Sequence, residues 1–323
     1  MERNNINMLF DFLNLGKIES ISVNDSSQNV VYKVRTNSKI YDVKEFSHDA
    51  ISSLEDLNKR QEQLRISEIL NESNINCSIP IKFNDKEFVS FDGHYYLIYE
   101  HLNMKYLGKE KLNNEHLRVL AKTLAKIHLL DISSNLKCSY QNIEIDFNKY
   151  LDIYKIKNRK VYEMILNNLE SLNKLINNVN SALENTTEKL VISHNDYKPL
   201  NVLWNGMKLI LLDFDACGLS YPSACMCESA FTFSYMDGKI DHDRYKVFVE
   251  AYLKQFGKKD INYLNSIYIS FNGKLQWLAY MLSNSEEENN PYDDGIISMI
   301  NELITYYNDV CVLFEIINES KRS

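Results

Sequence analysis

The stretch that most constrains this chain is residues 191–218, VISHNDYKPLNVLWNGMKLILLDFDACG. Polar residues stand here at the ends of two short apolar segments, LVIS and LILLDF, which have the pattern of buried strands. Asp196 and Asn201 belong to a polar loop after the first segment, and Asp213 lies at the end of the second. Each of these residues alone is also a common turn former. As a set at strand ends, they indicate chemistry.

The three residue types suit phosphoryl transfer. A carboxylate and an amide oxygen that a hairpin brings together can share Mg²⁺, a hard cation that prefers oxygen ligands. A second carboxylate can orient a hydroxyl and accept its proton. Phosphoryl transfer needs little else besides a positive group on the phosphates and a cover over them. The spacing of Asp196, Asn201 and Asp213 therefore predicts a Mg²⁺-dependent phosphoryl-transfer site.

Composition limits the partners. Of 323 residues, 45% are apolar and 25% are charged, which argues against disorder. The net charge of −8 disfavours a nucleic-acid binder, which would carry a basic face, and suits a cationic substrate. Because no apolar run is long enough to span a membrane and no signal peptide is visible, we expect a cytoplasmic protein without membrane contact. The six scattered cysteines predict reduced thiols in preference to a zinc site.

The N-terminal third predicts a small antiparallel sheet with one helix. Segments 30–36 and 39–46 are rich in β-formers and are joined by a short Asn-Ser turn, which predicts a hairpin. A helix is predicted within 52–73, and two further strands at 87–91 and 94–102. From about residue 104 the spacing becomes helical. Helices are predicted at 115–130, twice within 146–184, and at 241–256, 260–283 and 295–318.

The motifs resemble those of a known superfamily. HNDYKPLN resembles the catalytic loop of kinases, H-x-D-x-x-x-x-N, and LLDFDACG resembles their metal-binding Asp motif. D-F-D in place of D-F-G is similar to the aminoglycoside phosphotransferase and choline kinase branch. YDVKEF resembles the strand with the nucleotide-binding lysine, and YLIYEHL resembles the hinge. LAKTLAKIHLLD resembles the phosphotransferase helix that ends in Leu-His, which is Ile127-His128 in this chain. The resemblance covers roughly residues 18–235.

The resemblance implies an α+β, two-lobed protein-kinase-like fold. Residues 1–102 would form the N-terminal nucleotide-binding lobe, a small antiparallel sheet with one helix, with a hinge near 99–103. Residues 103–323 would form a larger, mainly helical lobe that holds the catalytic loop, the metal motif and the acceptor pocket.

The resemblance also implies roles for single residues. Asp196 would be the catalytic base, with Lys198 beside the transferred phosphate, and His194 would brace the loop. Lys44 would hold the nucleotide phosphates, and Glu62 would hold Lys44, with Glu55 and Glu68 as open alternatives on the same helix. The implied Mg²⁺ ligands are Asn201, Asp213 and Asp215, and the implied hinge contacts are Glu100 and Leu102. His128 would be a buried, hydrogen-bonded histidine without a catalytic role.

Two features depart from the kinase pattern. No glycine stands between Gly16 and Gly93, although the loop over the phosphates normally uses glycines for close backbone approach. Ser26 and Ser27 in NDSSQN would substitute, since serine tolerates turns and offers hydrogen bonds. ATP and GTP both remain open as donors. Lys198 gives D-x-K-P-x-N, as in protein serine/threonine kinases, but no A-P-E segment follows Asp213.

These features favour transfer of the nucleotide γ-phosphoryl group to a hydroxyl of a small cationic acceptor, either aminoglycoside-like or an amino alcohol. A protein serine/threonine kinase and a nucleotide-binding pseudokinase are the alternatives. Carboxylates would attract the amines of an aminoglycoside, whereas aromatic rings would attract a quaternary ammonium. The candidates for the acceptor pocket are Glu228, Trp277, Tyr280 and the acidic run 285–295.

Overall fold

The computed structural model describes residues 2–25, 29–48, 50–258, 260–284 and 291–322. The chain forms two compact units. The first comprises Met1–Lys105 and Leu203–Asp215, and the second comprises Tyr106–Val202 and Ala216–Ser323. The division into lobes at residues 102 and 103 stays a prediction.

The first unit contains a five-stranded antiparallel sheet in the order β1-β2-β3-β5-β4. Its strands are β1 (Ile18–Asp25), β2 (Asn29–Thr36), β3 (Ile40–Phe46), β4 (Val89–Phe91) and β5 (His94–Glu100). The predicted hairpin is confirmed as β2 and β3. Lys44 lies opposite Val31 of β2 and Leu97 of β5, so its strand is paired on both sides.

Two helices pack on this sheet. Helix α1 (Glu2–Phe12) buries Ile6, Leu9 and Phe10 against sheet residues that include Tyr32. Helix α2 (Leu54–Glu72) begins with a capping box, in which Ser53 and Asp56 exchange side-chain and backbone hydrogen bonds. The cap fixes the rotation of α2, whose buried residues are Gln63, Leu64, Ile66, Ser67 and Leu70.

The strand that leads to the D-F-D motif also belongs to the first unit. β8 (Val202–Asn205) and β9 (Lys208–Leu211) form a second hairpin, and a short strand β6 (Lys105–Tyr106) pairs with β8. Leu211 donates to the backbone carbonyl of Asn76 and accepts from the amide of Ser78, both at 2.9 Å. These bonds anchor the strand end immediately before the aspartates.

The second unit is mainly helical. Its helices are α3 (Asn114–Leu129), α4 (Phe147–Lys157), α5 (Arg159–Asn185), α6 (Pro222–Ser234), α7 (His242–Phe256), α8 (Tyr263–Ile269), α9 (Asn272–Ser283) and α10 (Asp293–Arg322). β7 (Val191–Ser193) pairs antiparallel with β10 (Gly218–Ser220), and β11 (Tyr235–Met236) with β12 (Lys239–Ile240). The stacked rings of Phe231, Phe271 and Tyr306 join α6, the residue before α9, and α10 in the core.

The structure confirms the α+β class and corrects one predicted helix. The segment 260–283 is two helices, α8 and α9, separated at Ser270 and Phe271. The Ser270 hydroxyl donates to the carbonyl of Ile267 at 2.6 Å and lies 2.7 Å from the hydroxyl of Tyr306. Such a local side-chain bond competes with helix continuation. In the part of the chain that the structure describes, no helix is long and apolar enough to cross a membrane.

Candidate active site

In the first unit, Lys44 connects two aspartates that the sequence places 169 and 171 residues away. Its Nζ lies 2.9 Å from Oδ1 of Asp213 and 2.7 Å from Oδ2 of Asp215. The Lys44 side chain is only 13% exposed. Partial burial strengthens such charged contacts relative to those at the surface. The predicted lysine and two of the predicted metal ligands are therefore neighbours.

The D-F-D turn has an unusual backbone. Asp213 has φ of 60°, in the left-handed region, which an aspartate tolerates better than most side chains do. Two residues of α2 fix the turn, because Arg60 and Gln63 both donate to the backbone carbonyl of Asp215 at 2.8 Å. The Asp215 carboxylate also accepts from Asn29 at 3.2 Å. These contacts hold Asp215 toward Lys44.

The structure does not bring Glu62 to Lys44. Glu62 forms an ion pair with Arg65, one turn further along α2, with Nε to Oε2 at 2.7 Å. The residues of α2 that face Lys44 and the aspartates are Arg60 and Gln63, which line the same small cavity as Lys44. Because successive helix residues differ by about 100°, Glu62 lies away from the direction of Gln63. Sequence reasoning missed Arg60 and Gln63, since it sought a glutamate.

The two alternatives to Glu62 are no better placed. Glu68 forms an ion pair with Lys82 at 2.6 Å, and Glu55 lies exposed in the first turn of α2. In the described part of the chain, the ion pairs of Lys44 are those with Asp213 and Asp215. The lysine partner that the sequence assigns to a helix glutamate is therefore supplied by the D-F-D motif.

The remaining nucleotide-site predictions stay predictions. Glu100 ends β5 and pairs with Lys39 at the surface. Leu102 follows β5, and its carbonyl accepts from the amide of Met104 at 2.8 Å. Ser26 and Ser27 lie outside the described residues.

In the second unit, the catalytic-loop residues contact one another. Asn201 is buried, and its Nδ2 donates to Asp196 twice, to Oδ2 at 2.7 Å and to the backbone carbonyl at 2.9 Å. Lys198 Nζ lies 2.8 Å from the same Oδ2. Asn195 before them has φ of 57° and turns the chain sharply. The loop thus holds the Asp196 carboxylate, which is 32% exposed, in one orientation.

Two buried histidines support this loop. His194 is fully buried, and its Nδ1 accepts a long hydrogen bond of 3.4 Å from the amide of Asp196. His128 lies 2.6 Å from the hydroxyl of Tyr252 and 2.9 Å from that of Ser193. Burial lowers the pKa of His128 to about 3, so its ring is neutral at pH 7. Both are placed to brace β7 and the loop.

A cavity of about 150 Å³ opens beside Asp196. Its charged lining residues are Asp196, Lys198, Glu228 and Lys274. The remaining lining residues are Ser193, Asn195, Tyr197, Cys225, Ser229 and Thr232. The cavity therefore joins the predicted base to Glu228 of α6, one of the predicted acceptor residues. Lys274 of α9 was not predicted, because a single lysine on an amphipathic helix carries no distinguishing signal.

Glu228 is partly buried in this cavity. Burial raises its pKa to about 7, and the negative charges of Asp196 and Glu302 add to that rise, while Lys274 opposes it. Lys274 forms an ion pair with Glu302 of α10 at 2.6 Å. Because its positive charge is shared between Glu302 and Glu228, Lys274 offsets only part of the effect of burial, and the pKa of Glu228 stays raised.

The aromatic candidates lie elsewhere on α9. The rings of Trp277 and Tyr280 stack 5.1 Å apart, and both contact Tyr292 edge-on. They do not line the cavity beside Asp196. In the acidic run, residues 285–290 lie outside the described residues. Asp293 accepts from Asn158 at 2.7 Å.

The metal ligands that the sequence predicts belong to both units. In the described ranges, no group of three or more His, Cys, Asp or Glu side chains is arranged to hold a metal ion. In the first unit, Asp213 and Asp215 offer carboxylates. In the second unit, Asn201 donates its Nδ2 to Asp196, and these bonds do not use its Oδ1. Mg²⁺ usually takes one or two carboxylates and completes its shell with phosphates and water. The two carboxylates of the first unit, Asp213 and Asp215, fit such an ion.

The fold and these residues define the class of the protein. An antiparallel sheet with a lysine strand, a helical unit with the H-x-D-x-x-x-x-N loop and a D-F-D turn are features of a protein-kinase-like phosphotransferase. The chain belongs to the phosphotransferase enzyme family, a model of which matches residues 22–252. No curated protein matches the sequence.

Solved structures of kinases share the fold at low sequence identity. A spectinomycin phosphotransferase in complex with ADP and spectinomycin superimposes with a TM-score of 0.68 and 15% identity, over 98% of both chains. An amicoumacin kinase in complex with AMP-PNP superimposes with a TM-score of 0.62 and 12% identity, over 94% of this chain and 92% of that one. The ethanolamine kinase of Plasmodium vivax superimposes with a TM-score of 0.56 and 15% identity, over 92% of this chain and 83% of that one. At these identities the likeness concerns the fold.

Proposed function

We propose that the protein transfers the γ-phosphoryl group of a nucleotide to a hydroxyl of a small cationic acceptor. The observation that carries the proposal is the Asp196 carboxylate, oriented by Asn201 and Lys198 at a cavity large enough for a small molecule. A general base must be held within hydrogen-bond reach of the proton that it accepts. Family membership supports phosphoryl transfer as the reaction.

Lys44, Asp213 and Asp215 would serve the nucleotide. In the structure Lys44 forms ion pairs with both carboxylates and offsets part of their negative charge. Mg²⁺, when bound, would supply the positive charge that stabilises the phosphates during transfer. Asp213 and Asp215 would hold it, and Lys44 would then be available to the phosphates. The assignment of Asn201 as a further ligand stays a prediction, which its uncommitted Oδ1 supports.

The transfer step uses Asp196. The acceptor hydroxyl would donate its hydrogen bond to the carboxylate, and its oxygen would form the new bond to the γ-phosphorus. The bond from that phosphorus to the bridging oxygen breaks, and the nucleoside diphosphate leaves with the bonding electrons. The hydroxyl proton passes to Asp196. Lys198 would balance the negative charge beside Asp196. The proposal requires that this loop and the three residues Lys44, Asp213 and Asp215 act on the same nucleotide.

ATP is the proposed donor, with GTP as the alternative. The spectinomycin phosphotransferase and the amicoumacin kinase were solved with ADP and AMP-PNP, which supports an adenine nucleotide. For the acceptor, Glu228 and the net charge of −8 support a cation. The cytoplasmic location predicted above is part of the same proposal, since the nucleotide donor is abundant there.

The test is a screen of the purified protein for Mg²⁺-dependent nucleotide consumption. The acceptors are aminoglycosides, choline, amino alcohols and a protein substrate, each with ATP and with GTP. We expect consumption with at least one amine-bearing alcohol, and a rate lower by about 10²–10⁴-fold when Asp196 is replaced by Ala. Phosphorylation of the protein substrate alone would instead support a protein kinase. Nucleotide binding without turnover on any acceptor would support a pseudokinase.

A further inference from the structure

Glu228 lies in the cavity beside Asp196, and the phosphoryl-transfer step has no use for it. Its carboxylate lies between α6, which carries it, and the first turn of α9. A Cβ atom built on Gly273 would be 3.6 Å from Oε1 of Glu228. Among the described residues, no hydrogen bond to either oxygen of Glu228 is formed, although the side chain is partly buried. A carboxylate in that condition is costly unless a partner arrives.

The other charges of the cavity already have partners. Lys198 pairs with Asp196 at 2.8 Å, and Lys274 pairs with Glu302 at 2.6 Å. The Lys274–Glu302 pair is mostly buried, with exposed fractions of 15% and 22%. Within the described lining, Glu228 is therefore the charged side chain that has no ion pair of its own. Such a group provides a specific place for one positive charge.

We propose that Glu228 binds a protonated primary or secondary amine of the acceptor while the acceptor hydroxyl reaches Asp196. The inference rests on the proposed function and names the acceptor class. A primary ammonium has three N–H donors for the carboxylate. A quaternary ammonium has none and is held by aromatic faces instead.

The lining does not provide such a cage. Its aromatic residue in the described part of the chain is Tyr197, which is 7% exposed and donates its hydroxyl to the carbonyl of Leu120 at 3.0 Å. The stacked pair of Trp277 and Tyr280 is outside the cavity. The cavity therefore favours amines that donate hydrogen bonds over trimethylated ones.

The volume of the cavity beside Asp196 limits the size of the part of the acceptor that can enter it. An engineered cavity of about 150 Å³ in another protein binds benzene. A cavity of the same size beside Asp196 accommodates on the order of six to eight non-hydrogen atoms. One amino alcohol, or a single aminated ring of a larger molecule, meets that limit.

The experiment compares acceptors that differ only in the amine. Ethanolamine, propanolamine and trans-4-aminocyclohexanol place the amine at increasing distances from the hydroxyl. Each is matched with its diol, and ethanolamine and propanolamine are also matched with their N-trimethyl derivatives, which stay within the size limit of the cavity. Phosphorylation by the full chain is measured with ATP and Mg²⁺. We expect at least one amine to exceed its diol and its trimethyl derivative in kcat/KM by about 10-fold or more.

Variants then assign the preference to Glu228. We expect Glu228→Gln to raise KM for that amine by about 10-fold or more with little change in kcat, the pattern of lost uniform binding. The diol should be unaffected. Glu228→Asp, which retains the charge, should retain the preference for the amine over the diol. Glu184→Gln, which alters an exposed carboxylate on α5, is the matched control and should behave as wild type.

The outcomes separate this inference from the proposed function. Turnover without any amine preference, or an equal loss on amine and diol in Glu228→Gln, overturns the role of Glu228 and leaves phosphoryl transfer standing. A preference for the trimethyl derivatives does the same. Absence of turnover with every acceptor in the broad screen overturns both. Thermal unfolding of each variant establishes that the compared proteins are folded.

Discussion

Asn201 donates two hydrogen bonds to Asp196, one to its carboxylate at 2.7 Å and one to its backbone carbonyl at 2.9 Å. A single buried amide thereby fixes both the side chain and the backbone of the proposed base. The second carboxylate oxygen, Oδ1, is left to meet a hydroxyl. These two bonds do not use the Oδ1 of Asn201, and the proposed role of Asn201 as a metal ligand depends on that oxygen.

Replacing Asp196 by Asn tests the base. The amide has nearly the same shape but cannot accept the hydroxyl proton, so we expect kcat to fall by about 10²–10⁴-fold. Nucleotide affinity should stay within about 2-fold, because the base contacts the acceptor and not the phosphates. Steady-state kinetics and nucleotide titration measure the two quantities. Asp152→Asn, at an exposed position of α4, is the control. Wild-type turnover in Asp196→Asn would remove Asp196 from this role.

Replacing Asp213 by Asn tests the metal site. Asn tolerates the left-handed backbone that Asp213 adopts, with φ of 60°, so the turn should persist. The carboxylate charge is lost, and we expect Mg²⁺ no longer to enhance nucleotide affinity. Asn201→Ala should give a milder version of the same change. The measurement is a nucleotide titration with and without Mg²⁺. Equal enhancement in Asp213→Asn and wild type would contradict the assignment.

A matched pair of substitutions on α2 tests which residue supports the D-F-D turn. Arg60 is 15% exposed and bonds to the carbonyl of Asp215, whereas Glu62 pairs with Arg65 one turn away. We expect Arg60→Gln to lower the free energy of unfolding by about 1–3 kcal/mol and to weaken nucleotide binding.

Glu62→Gln is the comparison. Glu62 is also 15% exposed, but its partner Arg65 is 45% exposed, so we expect a smaller loss in the free energy of unfolding than in Arg60→Gln, of about 1 kcal/mol or less, and kcat/KM near wild type. Denaturant unfolding and steady-state kinetics of both variants show which of the two residues supports the D-F-D turn. If Glu62→Gln loses more activity than Arg60→Gln does, then Glu62 supports Lys44 during turnover after all.

Local patterns allowed much of the molecule to be predicted. Asp196 and Asn201 are five residues apart in one loop, so their contact follows from the motif itself. The strand and helix of the N-terminal third follow from period-2 and helical spacing. Helix α6 was not predicted, because it is buried nearly all round and shows no amphipathic face. Helix α1 was missed because its first turns are polar.

Long-range relationships could not be read in the same way. The contact of Lys44 with Asp215 joins residues 171 positions apart, and only a resemblance placed them in one site. The rotation of α2 depends on its cap at Ser53 and on the packing of Leu64. A rotation of the helix by one residue, about 100°, decides whether Gln63 or Glu62 faces the D-F-D turn. The pairing of Lys274 with Glu302, which leaves Glu228 without an ion pair, depends on where α9 and α10 meet.

The raised pKa of Glu228 predicts how stability depends on pH. Its folded pKa is about 7, whereas the ordinary value is 4.5, so the folded state binds more protons than the unfolded state between these pH values. The contribution of Glu228 to stability therefore falls as pH rises from 4.5 to 7. The groups that face it are Lys274 of α9, Glu302 of α10 and Asp196 of the catalytic loop.

Glu228→Gln should therefore be more stable than wild type at pH 8, by at most about 3 kcal/mol, and no more stable at pH 4.5. His128 acts in the opposite direction, because its folded pKa of about 3 makes stability fall as pH drops below 6.5. It is present in both proteins, so the difference between them isolates Glu228. Urea unfolding at pH 4.5, 6 and 8 measures that difference, with Glu184→Gln as the exposed control. A difference that stays constant across the three pH values would mean that folding does not raise the pKa of Glu228. The carboxylate would then not be a desolvated charge in need of a partner, which is the condition on which binding of the acceptor amine rests.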